Sequence, residues 1–373
     1  MRGAETTLLS GRKNRKGKGL LMAQRVRIAD IAEELGLSTA TVSNVIHGKT
    51  RKISDETVKR VQEVLEERHY IPSMAGILLA QNNSRIIGVV VNDHEKYEGK
   101  VLEDGFVSAS LNALVFALEK AGYFMMVKAT QDWSEVERFA SMWNMDGMVL
   151  LGFCESDYEK LRAKMHIPFV VYDGYFEENR AICNLTIDNM DGGRQVGEYL
   201  RRMGHSRALL IADNDICVDK ERMMGFREGF GDGRTDFMQV PMSRAGRLQF
   251  YLENEKRIRD CTAAFVVSDI YAVEFMNFLQ ENGISVPGEM SVVGFDNSVF
   301  CENCFPRLTT VGQDAVSRAE AAVSALKRLR ERSEGARTKM LPVHLVLRDS
   351  VRAVEADDQA AGSGSQREIK EDE

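Results

Sequence analysis

Between residues 28 and 47 the apolar positions fall into two short helical rhythms. Ile28, Ile31, Ala32 and Leu35 recur at i, i+3, i+4 and i+7, which predicts a helix with one apolar stripe and an acidic outer face of Asp30, Glu33 and Glu34. Gly36 stops it. Ser38 stands where an N-cap belongs, and Val42, Val45 and Ile46 form the inner side of a second helix that turns Thr39, Ala40, Thr41, Ser43 and Asn44 outward. A third helix is predicted after Ser54, with Asp55 and Glu56 suited to the positive end of its dipole and Val58, Val61 and Leu65 facing inward. This is the layout of a helix-turn-helix, whose second helix enters a DNA major groove, and small hydrogen-bonding side chains on its outer face suit base readout. The competing reading is a packed αα-hairpin with no nucleic-acid role.

From residue 85 onward the period changes. Arg85 to Val91, Tyr123 to Val127, Gly147 to Leu151, Phe169 to Tyr172, Ala208 to Ile211, Ala264 to Val267 and Ser291 to Gly294 are short, continuously apolar strand candidates. They alternate with helical stretches at Val107 to Lys120, Val196 to Arg202 and Tyr271 to Gln280. Apolar strands separated by helices imply parallel sheets covered on both faces.

Beyond periodicity, the stretch Arg27 to Ala80, with Asp30-Ile31-Ala32, Ser38-x-x-Thr41-Val42-Ser43, Tyr70-x-Pro72 and Leu78-Leu79-Ala80, resembles the LacI/GalR (lactose-repressor and purine-repressor) family of bacterial transcriptional regulators. Later segments continue the likeness in order: Ile86 to Val90, Ile167 to Asp173, Arg222 to Phe226, Val292 to Asp296, Pro306 to Val311 and Leu347 to Ser350. The resemblance implies an all-α helix-turn-helix domain followed by a two-lobed α/β domain of the periplasmic-binding-protein type (type I). Its two Rossmann-like parallel sheets would be crossed three times by the chain, with a ligand held between the lobes.

The organisation expected on this basis has a basic, disordered extension at 1–24, a DNA-binding domain at 25–72 and a hinge at 73–83. An effector-binding and dimerisation domain follows at 84–353, with an N-lobe of about 84–178 and 313–333 and a C-lobe of about 179–312 and 340–353. Residues 354–373, acidic and rich in Gly and Ser without a heptad repeat, are expected to be a disordered tail.

Charge sharpens this division. Residues 1–85 carry a net of +6 and the remainder −13, within a total of −7, so a DNA-binding end is joined to an acidic body. With 44% apolar and 28% charged residues and no apolar run of about 18, the composition is that of a soluble, cytoplasmic globular chain. Basic residues Arg12 to Lys18 precede only a short apolar stretch, too short for a signal peptide, and Met22 is the expected natural start. Six scattered cysteines read as small apolar fillers; Cys301 and Cys304 have the spacing of a metal or redox pair but lack a second pair. No HExxH, GxGxxG or phosphate loop is present, and Gly283 to Gly288 misses a nucleophile elbow because Pro287 replaces its second glycine. Neither catalytic residues, a metal site nor a cofactor is expected, so the chain reads as a non-enzyme.

Carried over by resemblance, the effector-binding positions are Phe106, Asp173, Arg222, Phe265, Asp269 and Asp296, and the DNA-binding ones are Thr39, Ala40, Thr41, Ser43, Asn44, His47 and Leu79. The two phenylalanines would stack on the ligand face, with core packing the alternative for each; Arg222 and Asp296 read alternatively as a structural ion pair. Ser268 replaces an asparagine common in sugar-responsive members, which leaves the effector open between a sugar derivative and a purine-like metabolite. The function implied is a repressor, dimeric on a palindromic double-stranded operator, whose DNA affinity is set by that small-molecule effector. A solute sensor without a DNA role and a sugar-modifying enzyme on the same scaffold are the competing classes.

Two departures from the family concern stability. Arg27 takes the place of the usual Ser or Thr cap of the first helix, at a cost of roughly 1 kcal/mol unless packing compensates. In the hinge, which by resemblance folds on DNA and wedges Leu79 into the minor groove, Gly76-Ile77 replaces an Ala-Arg pair, and glycine costs about 1 kcal/mol relative to alanine within a helix. Gly76→Ala is therefore expected to tighten operator binding by more than about twofold in a gel-shift titration; an unchanged affinity would remove the idea of a weakened hinge.

Overall fold

The computed structural model describes residues 26–71, 84–153, 164–165, 167–174, 183–331 and 338–354. The extension 1–24, the hinge with Gly76 and Leu79, Cys154 and the tail from 355 lie outside the described residues. The chain divides into two compact units, 1–80 and 81–373.

In the first unit, helices α1 (Ile28–Leu35), α2 (Thr39–Ile46) and α3 (Asp55–Glu67) enclose a core of Ile31, Ala32, Val42, Val45 and Val61, flanked by Ile28, Leu35, Val58 and Leu65. The apolar stripes read from the sequence thus meet in one small core. Gly36 closes α1 in the left-handed conformation at φ 64°, where a side chain would be strained. The Ser38 and Ser54 hydroxyls accept from the backbone N–H groups of Thr41 at 3.1 Å and Thr57 at 3.3 Å. At the start of α1 the Asp30 carboxylate compensates for Arg27: it accepts from the Arg27 backbone N–H at 2.8 Å and pairs with its guanidinium at 3.3 Å. The backbone hydrogen bond holds the Asp30 carboxyl below its usual range. This is half of a capping box, built with the acid in place of the missing hydroxyl.

The second unit holds two six-stranded sheets. The N-lobe sheet contains β1 (Ile86–Val91), β2 (Phe124–Ala129), β3 (Gly147–Leu151), β4 (Phe169–Tyr172), β5 (Cys183–Ile187) and β11 (Lys339–Leu341), in the order β11-β5-β4-β3-β1-β2. The C-lobe sheet contains β6 (Arg207–Ala212), β7 (Arg234–Gln239), β8 (Ala263–Val266), β9 (Ser291–Asp296), β10 (Thr309–Gln313) and β12 (Val343–Val346), in the order β12-β10-β9-β8-β6-β7. All strand pairs are parallel except β10 with β12. Helices α4 (Gly105–Lys120), α5 (Trp133–Met142), α6 (Asn189–Arg202), α7 (Cys217–Phe230), α8 (Arg244–Glu253), α9 (Glu255–Arg259), α10 (Asp269–Glu281), α11 (Phe300–Asn303) and α12 (Ala315–Glu331) complete the unit.

The chain crosses between the sheets three times, after Ile187, Gln313 and Leu341. The first crossing corrects the expected boundary near 178. Strand β5, with polar Asn184 and Thr186 in its short run, gave no strand signal but pairs in parallel with β4 and extends the N-lobe to residue 187. Strand β11 likewise pairs with β5, and the C-lobe resumes after 341.

Helices α6 and α7 lie backbone to backbone. A Cβ at Gly193 would stand 1.9 Å from the Arg222 carbonyl oxygen, and one at Gly225 would stand 1.9 Å from that of Met190. Gly197 and Gly229 repeat the contact one turn further along, so only glycine fits at these four positions. At the end of α6, His205 is buried with its Nε2 donating to the Arg352 carbonyl at 3.2 Å and its Nδ1 accepting from Thr262 Oγ1 at 2.9 Å.

Burial lowers the His205 pKa from 6.5 to about 4. The unfolded chain takes up a proton there below about pH 6.5 that the folded chain refuses until about pH 4, so stability falls as pH drops through that window, by up to roughly 3 kcal/mol. Urea unfolding at pH 7 and 5 should show this loss in the wild type, and His205→Gln should show less of it.

Candidate functional site

The outer face of α2 is small and polar. Thr39, Ala40 and Asn44 are exposed, Thr41, Ser43 and the capping residue His47 are half-buried, and Val42 and Val45 anchor the opposite side. Part of this face serves the fold as well, because Thr41 Oγ1 lies 2.9 Å from Ser38 Oγ in the cap. The turn between α2 and α3 exposes Lys49, Arg51 and Lys52, three cations beside the polar face that motif reading passed over.

In the second unit the carboxyl ends of the strands converge on a cavity of about 470 Å³ between the two lobes. Asp173 follows β4 in the N-lobe and Asp296 ends β9 in the C-lobe, and both line it. Each has a positive φ, 54° and 116°, an unusual backbone state for a non-glycine residue that tends to be kept where it positions a functional group.

Each carboxylate is matched to a buried guanidinium. Arg318, from α12, is 2.7 Å from Asp173 Oδ1, donates to the Leu185 carbonyl at 2.6 Å and stacks on Tyr172 at 4.3 Å. Arg222, from α7, is 3.6 Å from Asp296 Oδ1, donates to Asn189 Oδ1 at 2.9 Å and to the Val267 carbonyl at 2.6 Å, and lies 3.7 Å over the Phe295 ring. Gln313, at the second crossing, joins the two pairs: its Oε1 accepts from Arg318 at 3.2 Å and its Nε2 donates to Asp296 Oδ1 at 2.7 Å. A continuous polar chain therefore runs beneath the cavity from one lobe to the other. Burial pushes the Asp296 carboxyl well above the usual carboxylate range, with Arg222 opposing the shift.

The side walls bring together residues far apart in sequence. Phe106, in the first turn of α4, lines the cavity and lies 5.6 Å from the Arg318 guanidinium. Lys96 and Tyr97 come from the N-lobe; Asp213, Asp219 and Tyr271 come from the C-lobe. The Tyr271 hydroxyl donates to Asp213 Oδ2 at 2.9 Å, and Asn214 Nδ2 donates to Asp219 Oδ2 at 2.8 Å. Burial works against the Lys96 ammonium, but Tyr97, Asp213, Asp219 and Tyr271 outweigh it and hold Lys96 above the ordinary lysine range. Asp213 directly follows an apolar strand, the same signal that singled out Asp173, and was legible by that rule; nothing in the local pattern points to Arg318.

Two expected positions need correction. Phe265 does not reach the cavity: it is 0% exposed and stacks on Phe226 at 5.3 Å. Side chains alternate along β8, which turns residue 265 toward α7, and it is Val267, Ser268, Ile270 and Tyr271 beyond the strand end that line the cleft. Asp269 is 1% exposed and lies behind the cavity wall, its carboxylate accepting from the Ser298 N–H and the Thr310 hydroxyl, both at 2.6 Å. It ties the segment after β9 to β10 and supports Asp296 from behind.

Residues 27–73 match the family of bacterial regulatory proteins, lacI family, and residues 198–351 match a periplasmic binding protein-like domain. The chain is 26% identical over 338 residues to the sucrose operon repressor of Streptococcus mutans, covering 87% of this chain and 99% of that protein. It is 29% identical over 345 residues to the HTH-type transcriptional repressor PurR of Aliivibrio fischeri, covering 87% and 98%. The chain carries a DNA-binding domain of the LacI family followed by a periplasmic binding protein-like domain. Its fold matches that of the lac repressor dimer bound to operator and the anti-inducer ONPF, with a TM-score of 0.74 at 22% identity over 88% of this chain and 100% of that one. With that domain it is a DNA-binding transcriptional regulator, and the two relatives named above are repressors. Among the described residues no helix is long and apolar enough to cross a membrane, and no group of three His, Cys, Asp or Glu is placed to hold a metal ion.

One contact makes closure of the cleft testable. A Cβ at Gly105, at the start of α4 in the N-lobe, would stand 2.6 Å from Ser298 Cβ in the C-lobe. Gly105→Ala should therefore hold the lobes apart locally and weaken effector binding about tenfold by calorimetric titration, and adding Ser298→Gly should recover most of the loss.

Proposed function

We propose that this LacI-family chain represses transcription as a homodimer and that a sugar or sugar derivative, bound between the lobes, sets its operator affinity. The observation that carries the effector assignment is the pair Asp173 and Asp296. They come from opposite lobes, face one cavity and are each oriented by a buried arginine. Carboxylates so fixed accept hydrogen bonds from ligand hydroxyls with defined direction, and the rings of Tyr97 and Phe106 offer flat apolar walls for a sugar face. Phe106, Asp173, Arg222 and Asp296 are the effector-site residues proposed.

DNA is read by Thr39, Ala40, Thr41, Ser43 and Asn44 with His47 at the helix end, while Lys49, Arg51 and Lys52 contact phosphates. The dimer is supported by exposed apolar side chains on α4 and the edge strand β2, namely Phe116 and Phe124 at 64% and 59% exposure, and by Phe305 of the C-lobe at 88%. Ligand binding changes the relation of the lobes in each protomer and so whether two recognition helices reach adjacent half-sites together. The protein acts by this coupling rather than by catalysis, in the bacterial cytoplasm where its operator lies.

Two measurements test the reading. In a thermal-shift screen of sugars and nucleosides, a sugar should raise the melting temperature of the wild type, and Asp296→Asn should weaken its binding at least about tenfold; stabilisation by nucleosides alone would favour the purine-like alternative. In operator titrations Asn44→Ala should cost about 1–3 kcal/mol with an unchanged salt slope, whereas Arg51→Ala should lower the log-log slope by about 0.9.

A further inference from the structure

The effector cavity is unequal in what its polar groups offer. Among the described residues six carboxylates line it, from Glu103, Asp104, Asp173, Asp213, Asp219 and Asp296, against four cations, Lys96, Lys100, Arg222 and Arg247. The cations are largely committed elsewhere. Arg222 uses its three nitrogens on Asn189, the Val267 carbonyl and Asp296. Arg247 is held in a two-point pair with Glu274, at 2.7 and 3.1 Å, and donates to the backbone carbonyls of Pro241 and Met242. Behind the wall, Arg318 turns its two terminal nitrogens to Asp173, Gln313 and the Leu185 carbonyl. Lys96 lies near the carboxylates of Asp213 and Asp219, which favour its ammonium, and Lys100 is exposed at the rim.

The carboxylates, by contrast, keep acceptor capacity. The arginine contacts of Asp173 and Asp296 both go to Oδ1, and Asp104 uses Oδ1 to cap α4 at Val107 N, 3.0 Å away. Asp104 belongs to the N-lobe and Asp296 to the C-lobe, so carboxyl groups from both lobes face the ligand space.

We infer that the effector is a non-anionic polyol, a neutral or amine-bearing sugar, and that this cleft rejects phosphorylated and carboxylated sugars. A ligand rich in hydroxyl or ammonium donors satisfies the surplus acceptors. A phosphate brings two further negative charges to a site where carboxylates outnumber cations and the lining guanidinium donors are already engaged, so little pairing offsets its lost hydration. This rests on the sugar reading above and narrows it.

The test is calorimetric titration of the full chain with glucose, ribose and sucrose, followed by glucosamine, glucose 6-phosphate, ribose 5-phosphate and gluconate. The expected result is binding of a neutral or amino sugar with its phosphorylated or carboxylated counterpart at least about 100-fold weaker. Asp104→Asn, whose amide oxygen still caps α4, should narrow that gap by roughly tenfold, with the thermal unfolding of the free variant reporting that it folds. Binding of an anionic sugar as tightly as its neutral parent would overturn the inference and leave the sugar reading standing. Binding of nucleosides, with no sugar bound in any charge state, would overturn both.

Discussion

Two buried guanidiniums set the terms for the rest of the effector unit. Arg222 and Arg318 are 6% and 1% exposed, and a charge taken that far out of water is tolerable only when it is paired with an opposite charge and hydrogen-bonded. Their partners, Asp296 and Asp173, are also the groups that face the cavity. On the proposed assignment, ligand recognition and the integrity of the fold share the same side chains. Removing either carboxylate would then strip a ligand contact and also strand a buried cation, which is why an asparagine is a cleaner probe of the site than an alanine.

Much of the surrounding architecture holds those two pairs in place. The glycine contacts between α6 and α7 bring the backbone of Arg222 against Gly193, and Asn189, the first residue of α6, accepts from its Nε. Asn189 lies two residues past the end of β5, so the first crossing between lobes is anchored to one of the arginines. Gln313 lies at the second crossing and bonds to both systems. A ligand that draws on either carboxylate thus acts on groups located where the lobes are joined, a physical route from occupancy to lobe arrangement.

The helix-turn-helix unit follows a different economy. Its core consists of a handful of aliphatic side chains, and three short helices depend on their caps to a degree that larger domains do not. Ser38 and Ser54 supply hydroxyl caps, while Asp30 supplies the equivalent at α1 by reaching back to the Arg27 backbone. In the effector unit it is burial of whole strands, not caps, that fixes the elements.

What the sequence determined by itself follows from periodicity and from position along strands. The 3.6-residue stripes of α1, α2 and α3 can be buried only against one another, so the core of Ile31, Val42 and Val61 was legible, and with it the outward face of α2. Continuous apolar runs identified β1, β3, β4 and β9, and the polar residues at the ends of β4 and β9 are Asp173 and Asp296. Tertiary structure alone decided which way each side chain near a strand end points. A strand alternates its faces, and without the neighbouring helix in view nothing says that Phe265 turns toward Phe226 or that Asp269 turns to Ser298 and Thr310. It also decided the membership of β5 in the N-lobe, because a short strand with polar positions is defined by its partner rather than by its own pattern. The balance of charge in the cleft belongs to the same class: Lys96, Asp104, Asp213 and Arg318 are dispersed over more than 200 residues and meet only when two lobes close on one space.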